Sequence, residues 1–328
     1  MTPVEVPVAQ PPHLEIVTMG RVGVDLYPQQ LDTPLAEVRS FTRSLGGSPT
    51  NVAVGAARLG HRAAIITKVG ADPFGAYVRS AIAGFGVWPG WVGTDPDLHT
   101  PLAFAEIHPP DRFPLLFYRE PSAPDLNLRP GDFDLPAVTQ APLFWATGTG
   151  LSAEPSRSTT LQALGARSRL TTVFDIDYRP SLWSNESAAE AARWAREAAR
   201  LATVVVANEE EARLLTEEAE TVPALGAILD LGPRVAIIKR GTEGVIASAA
   251  DGPTIEVRPI AVRTLCGLGA GDAFGAGLSH GLLRGWSLEE SLRFANGAGA
   301  LVASRLLCAE AMPPGAEGEA VLSRECPR

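Results

Sequence analysis

Short, nearly unbroken apolar runs alternate along this chain with longer stretches in which apolar residues return every three or four positions. The runs are EIVTMG (15–20), AAIITKVG (63–70), LFWAT (143–147), TTVFDID (171–177), TVVVAN (203–208) and VAIIKRG (235–241). Continuous runs of this length predict strands covered on both faces. The longer stretches span 49–60, 73–86, 187–202 and 208–220, where alanine and leucine recur. That spacing and composition predict helices. Strand then helix, repeated, predicts βαβ units: an α/β protein with a mostly parallel central sheet and helices on both faces.

Two stretches break this rhythm. Residues 24–47 and 102–120 are strand-like, interrupted by prolines and dotted with aromatic residues. No helix follows the first strand directly, so these pieces predict a small separate β-layer, a lid able to cover a substrate. The alternative is a pair of long edge loops. There is no internal repeat and no low-complexity tract.

Composition narrows the function classes. With 328 residues, 45% of them hydrophobic and 20% charged, the chain can bury a substantial core. A net charge of −9 without any run of Lys or Arg excludes a nucleic-acid partner. No stretch approaches the roughly 18–20 apolar residues of a membrane span. The opening MTPVEVPVAQPPH lacks the basic-then-apolar order of a secretory signal and predicts a loose tail over 1–13. Cys266, Cys308 and Cys326 are few and widely spaced, which points to free thiols in a reducing cytoplasm. Five scattered histidines offer no zinc spacing.

The chemistry concentrates in GLGAGDAF (267–274). A dinucleotide fingerprint needs GxGxxG after a buried strand, and Gly267, Gly269 and Gly271 are spaced GxGxG. Downstream, GLSHG (277–281) matches the serine-hydrolase pattern, but Ser279 falls inside the predicted helix and only the adjacent His280 follows it. Phosphoryl transfer fits better. Glycines at a helix start aim backbone N–H groups at one spot, where the helix dipole also favours negative charge. Asp272, at that start, could take the proton of an attacking hydroxyl. Taken alone, the loop is equally compatible with a glycine-rich turn in which Asp272 caps a helix.

GGSPTNVAVGAARLGHRAAIITKVG (46–70) and GAGDAF (269–274) together resemble the two signatures of the ribokinase-like (PfkB) sugar kinases, and KVGADPFG (68–75) continues the resemblance. The similarity extends over about residues 14–314. There is no GxxxxGK[ST] motif, and Lys68 and Lys239 are the only lysines, so a P-loop kinase is excluded. The resemblance implies a ribokinase-like three-layer α/β/α domain over 14–322. A β-sheet lid would come from about 24–47 and 98–125, with a C-terminal tail over 323–328.

It also implies MgATP as phosphoryl donor and a role for each matching residue. Asp272 would be the general base, and the amides of Gly269, Ala270 and Gly271 the anion hole. Asp25, Gly46, Gly47 and Asn51 would hold sugar hydroxyls. Asn208 and Glu211 form the family's NxxE pattern, associated with magnesium through water. Lys239, Gly241 and Gly244 would border the nucleotide, and Asn296 the adenine. Many members read DTT before GAGD and use that aspartate for an activating potassium ion. Here the stretch is CGL (266–268), which puts potassium activation in doubt.

FYREPSAPDL (117–126) and FDIDYRPSLW (174–183) resemble the keto-acid branch of the family. Arg119 and Arg179, with Arg21 as a third candidate, would bind a substrate carboxylate or the phosphoryl group through paired hydrogen bonds. With GRVGVDLYP (20–28), Asp177 and CAEAMP (308–313), the pattern looks most like members that phosphorylate the C6 hydroxyl of 5-dehydro-2-deoxy-D-gluconate. The alternatives are a kinase for 2-keto-3-deoxygluconate or fructose, and, in another class, a non-catalytic sugar-binding regulator. A homodimer through the lid follows by family analogy.

Overall fold

The computed structural model describes residues 12–167, 170–183 and 187–315. The expected tails, apart from Pro12 and His13, and Cys326 lie outside the described residues. Along the chain come β1 (Ile16–Met19), β2 (Gly23–Pro28), β3 (Phe41–Gly46), α1 (Ser48–Arg58), β4 (Ala63–Gly70), α2 (Pro73–Gly84) and β5 (Val92–Asp95). Then follow β6 (Leu102–Ala105), β7 (Leu115–Tyr118), α3 (Leu135–Gln140), β8 (Leu143–Thr147), α4 (Ser156–Gly165), β9 (Thr171–Asp175) and α5 (Ala188–Leu201). The last part holds β10 (Val204–Asn208), α6 (Glu209–Thr216), α7 (Thr221–Asp230), β11 (Val235–Lys239), β12 (Val245–Ala249), β13 (Thr254–Val257), α8 (Ala270–Arg284) and α9 (Leu288–Ala303).

Nine strands form the central sheet in the order β13-β12-β11-β10-β9-β8-β1-β4-β5, parallel except for the β11–β12–β13 edge. All six expected strands lie in it, and all four expected helices form. Residues alternate along each strand between two cores. Ile16, Ile65 and Trp145 pack under α1, α2, α8 and α9, whereas Val17, Ile66 and Phe144 pack under α3 to α7. That is the three-layer α/β/α arrangement expected of two-sided apolar strands. Packing between α8 and α9 is close because α8 is rich in glycine: a Cβ on Gly277 would stand 2.8 Å from the Ala295 Cα.

Helix starts follow local chemistry. Asp72 accepts from the Gly75 amide at 2.8 Å, and Ser287 with Glu290 closes a capping box on α9. The helix expected over 208–220 ends at Thr216, because Glu217 takes a left-handed conformation with φ of 67°. Ser279 is buried inside α8 and donates to the Gly275 carbonyl, which confirms that the hydrolase match is accidental.

The interrupted stretches form a separate four-stranded sheet, order β3-β2-β6-β7, with β2 and β6 parallel and the other pairs antiparallel. Register puts Asp25, Ser44, Ala103 and Phe117 in one row on one face, and Leu26, Arg43, Phe104 and Leu116 on the other. The lid is tied to the body from its first face. Tyr27 and Cys308 share a 2.7 Å hydrogen bond, and Ser44 donates to Glu310.

Candidate active site

The parallel strands deliver their carboxyl ends to one edge of the sheet, the place where open α/β sheets hold ligands. Arg21 follows β1, Thr149 follows β8, Asp175 ends β9 with Asp177 just beyond, Asn208 ends β10 and Lys239 ends β11. α8 begins at the same edge. Its N-cap, Gly269, has φ of +80°, and a Cβ there would stand 2.6 Å from the Cys308 sulfur. Only glycine fits that turn, which leaves the amides at the start of α8 free of side-chain cover.

Asp272 sits in the first turn of α8, and Asn51 Nδ2 donates to its Oδ2 at 2.8 Å. Burial pushes its carboxyl above the usual range, opposed by the Asn51 bond and reinforced by Asp177. Asn51 is itself buried, and its Oδ1 has no hydrogen-bond partner among the described residues. Asp25 faces the same space from β2. Gly46 leaves room for it, since a Cβ at Gly46 would lie 2.1 Å from Asp25 Oδ1. Gly47, with φ of 105°, lets the chain pass the Arg21 carbonyl. Burial pushes Asp25 up to about 7, with Asp272 and Glu310 adding to the rise against the pull of Arg21. So the structure brings Asp25, Gly46, Gly47, Asn51, Asp272 and the glycine loop together.

The arginines divide. Arg21 pairs with Asp177 through two bonds of 3.2 Å, and Thr149 donates to the same carboxylate at 3.2 Å. Arg119 is spent on Asp125, at 2.5 and 3.1 Å, and Asp125 also accepts from the Val22 amide. Its fork ties the chain after β7 to the turn that holds Asp125. Arg179 is different: half exposed, it approaches Asp177 Oδ1 with Nε at 3.5 Å.

At the ends of β10 and β11, Asn208 caps α6, accepting from the Glu211 amide at 2.8 Å. Glu211 returns Oε2 to the Asn208 amide at 2.7 Å and offers Oε1 to the Tyr178 amide at 3.0 Å. Lys239 Nζ lies 3.5 Å from Asp175 and 3.7 Å from the place of a Cβ on Gly271. Gly241 and Gly244 bound the β11–β12 turn with positive φ, and a Cβ on Gly244 would stand 2.2 Å from the Val257 carbonyl. Asn296 is engaged structurally, donating to the Arg258 carbonyl at 2.8 Å. The roles of Asp175, Thr149, Ser44 and Glu310 were missed in the sequence. Asp175 and Asp177 carried a signal, as carboxylates closing an apolar strand.

Comparison with known proteins decides the family. Residues 13–314 match the model of the pfkB family carbohydrate kinases. The chain belongs to that family. It is a phosphotransferase acting on a sugar. It is 33% identical over 308 residues to the 5-dehydro-2-deoxygluconokinase of Clostridium beijerinckii, covering 92% of this chain and 90% of that one. The enzyme of the same name from Shouchella clausii is 32% identical, covering 95% and 97%. Among solved structures, a fructokinase double mutant from Vibrio cholerae with fructose, ADP and potassium bound is 26% identical with a TM-score of 0.82, covering 94% of this kinase and 99% of that chain.

Proposed function

We propose that this kinase transfers the γ-phosphoryl group of MgATP to the C6 hydroxyl of 5-dehydro-2-deoxy-D-gluconate, as a cytoplasmic enzyme of myo-inositol catabolism. The observation that carries the chemistry is Asp272, partly buried, held by Asn51, and placed at the amide-rich start of α8 opposite Asp25. Asp25 and Asn51 accept sugar hydroxyls and set the reacting oxygen beside Asp272, which removes its proton as the bond to phosphorus forms. The amides of Gly269, Ala270 and Gly271 meet the charge on the transferring group. Arg179, with donors to spare, takes the sugar carboxylate. Arg21, locked to Asp177, adds its field from below. The lid covers the reaction from water, which would otherwise compete for ATP.

Magnesium supplies charge neutralisation on the nucleotide phosphates. Both oxygens of Glu211 are engaged by backbone amides. Phosphate oxygens and water would therefore hold the ion, with Glu211 acting at a distance, as suits a cation that keeps its hydration. A potassium site does not fit. Cys266, at the position of the family's aspartate, is buried in an apolar cluster with Tyr27, Ala105, Ile107 and Cys308, and burial pushes its thiol to about 11. A neutral thiol among hydrocarbon offers no ligand to a hard cation.

A second reading, a neutral ketose such as fructose, is favoured by the commitment of Arg21 and Arg119 to internal carboxylates. ADP release from MgATP, measured with 5-dehydro-2-deoxygluconate, 2-keto-3-deoxygluconate, fructose and ribose, separates the two. Highest kcat/KM for the first acid is the expected result; preference for fructose would replace the substrate and keep the mechanism.

A further inference from the structure

This chain builds its cations from arginine, with 26 arginines against two lysines. Neither lysine stands free in solvent. Lys68 is satisfied where it lies, 2.7 Å from Asp132 Oδ2 and donating to the Asn127 carbonyl at 2.8 Å. Lys239 is not. Its ammonium has three donors and, among the described residues, one hydrogen-bond acceptor, Asp175 Oδ1 at a long 3.5 Å. A largely buried ammonium with unused donors is costly unless a ligand takes them. Nζ lies 3.7 Å from the place of a Cβ on Gly271, in the first turn of α8.

Asp175 fixes that ammonium from behind. It is 3% exposed, in the middle of the sheet, with Thr147 and Val206 as its strand neighbours. Its carboxylate accepts no other hydrogen bond among the described residues. Burial pushes Asp175 up to about 7 against the pull of Lys239. Burial works against the Lys239 charge too, but Asp175, then Glu211, Asp272 and Asp177, outweigh it and hold the ammonium above its ordinary value. Of these, Glu211 is tied to backbone amides and Asp177 to Arg21, with Arg179 at its other side. Asp272 is held by Asn51. Among the described residues, Asp175 alone forms an ion pair with the ammonium.

We propose that Asp175 is a positioning residue for phosphoryl transfer, holding the Lys239 ammonium beside the glycine loop through a contact loose enough to be shared with phosphoryl oxygens. This rests on the kinase reading above. Asp175 does not touch the substrate and acts through Lys239. An arginine could not substitute at 239 in the same way, since a planar fork would not fit the place of a compact point charge.

The test uses Asp175→Asn, Lys239→Met and the double variant. Asp175→Asn is expected to lower kcat about tenfold with little change in the sugar KM, as for an interaction made in the transition state. The alkaline limb of kcat should move to lower pH, because the ammonium loses the carboxylate that retains its proton. The double variant should be no slower than Lys239→Met alone. Losses that multiply in the double variant would overturn the proposal, as would an unmoved alkaline limb.

A second measurement needs no turnover. After reductive methylation with labelled carbon, the two lysines give two NMR signals, and Lys239→Arg identifies the one from Lys239. That signal should shift on adding MgADP and titrate at lower pH in Asp175→Asn. If neither happens, Lys239 is not placed as proposed, whatever the enzyme phosphorylates. If both happen while no sugar is phosphorylated, the placement stands and the kinase reading falls.

Discussion

Burial lifts the carboxyls of both Asp25 and Asp272, the pair proposed to meet the sugar, and the consequences for Asp25 can be worked out in sign. Its value in the fold is about 7 against an ordinary 3.8. Between those values the folded chain holds a proton that the unfolded chain has lost. Its stabilising contribution is therefore complete below the lower value and disappears as pH rises through the upper one. Asp175 shares this window. Thermal melting of wild type should thus fall, between about pH 4 and 7, more steeply than that of Asp25→Asn, which retains the shares of Asp175 and the other raised carboxyls. Activity should run the other way. Hydroxyl binding needs the Asp25 carboxylate as acceptor, so kcat/KM for the sugar should climb through an acid limb near 7; a limb near 4 would contradict this. Asp272→Asn is expected to cost on the order of 10²- to 10⁴-fold in kcat while leaving the melt close to wild type, since it removes a general base and keeps the side-chain shape. The sequence made Asp25, Asn51 and Asp272 visible because each stands in a local motif. Asp175 showed only as a carboxylate closing an apolar run and Thr149 not at all, because their partners come from strands and loops distant in the chain.

At the scale of elements, the lid earns its place through the β2–β3 pair. Asp25 and Gly46 sit on the same face of neighbouring strands, and the absent side chain of Gly46 is the space that Asp25 fills. Gly46→Ala should push the Asp25 carboxylate aside by about 1 Å, and a misplacement of that size can cost on the order of 10²-fold. The loss should appear in kcat/KM for the sugar, with KM for ATP unchanged. A variant with normal sugar kinetics would show that Asp25 does not grip the substrate. The apolar runs made the six central strands readable, and prolines with aromatics marked out the lid. Strands β5, β12 and β13 and helix α7 escaped for physical reasons. β5 is four residues of which two are buried, and β13 is an edge strand with one buried residue. The stop after Thr216 depends on a non-glycine residue in a left-handed turn, which no local signal announces.

For the whole molecule, the other face of the lid raises the question of assembly. Phe104 meets Phe41 at 5.4 Å and Tyr118 at 5.5 Å between ring centroids, both edge-on. Leu116 and Tyr118 are 46% and 59% exposed beside them. An aromatic row on the face away from the sugar is poorly explained by catalysis, and a contiguous exposed apolar patch commonly marks a contact surface. The proposal is a homodimer in which two lids pack face to face, each excluding water from the other. Because Asp25 lies on the opposite face of the same strands, such packing would also stiffen the sheet proposed to grip the sugar. Sedimentation equilibrium should show a dimer for wild type and a monomer for Leu116→Asp with Tyr118→Ser, and the monomer should have a raised sugar KM with ATP binding intact. A wild type that sediments as a monomer at every concentration would remove the dimer and leave the aromatic row as lid packing alone.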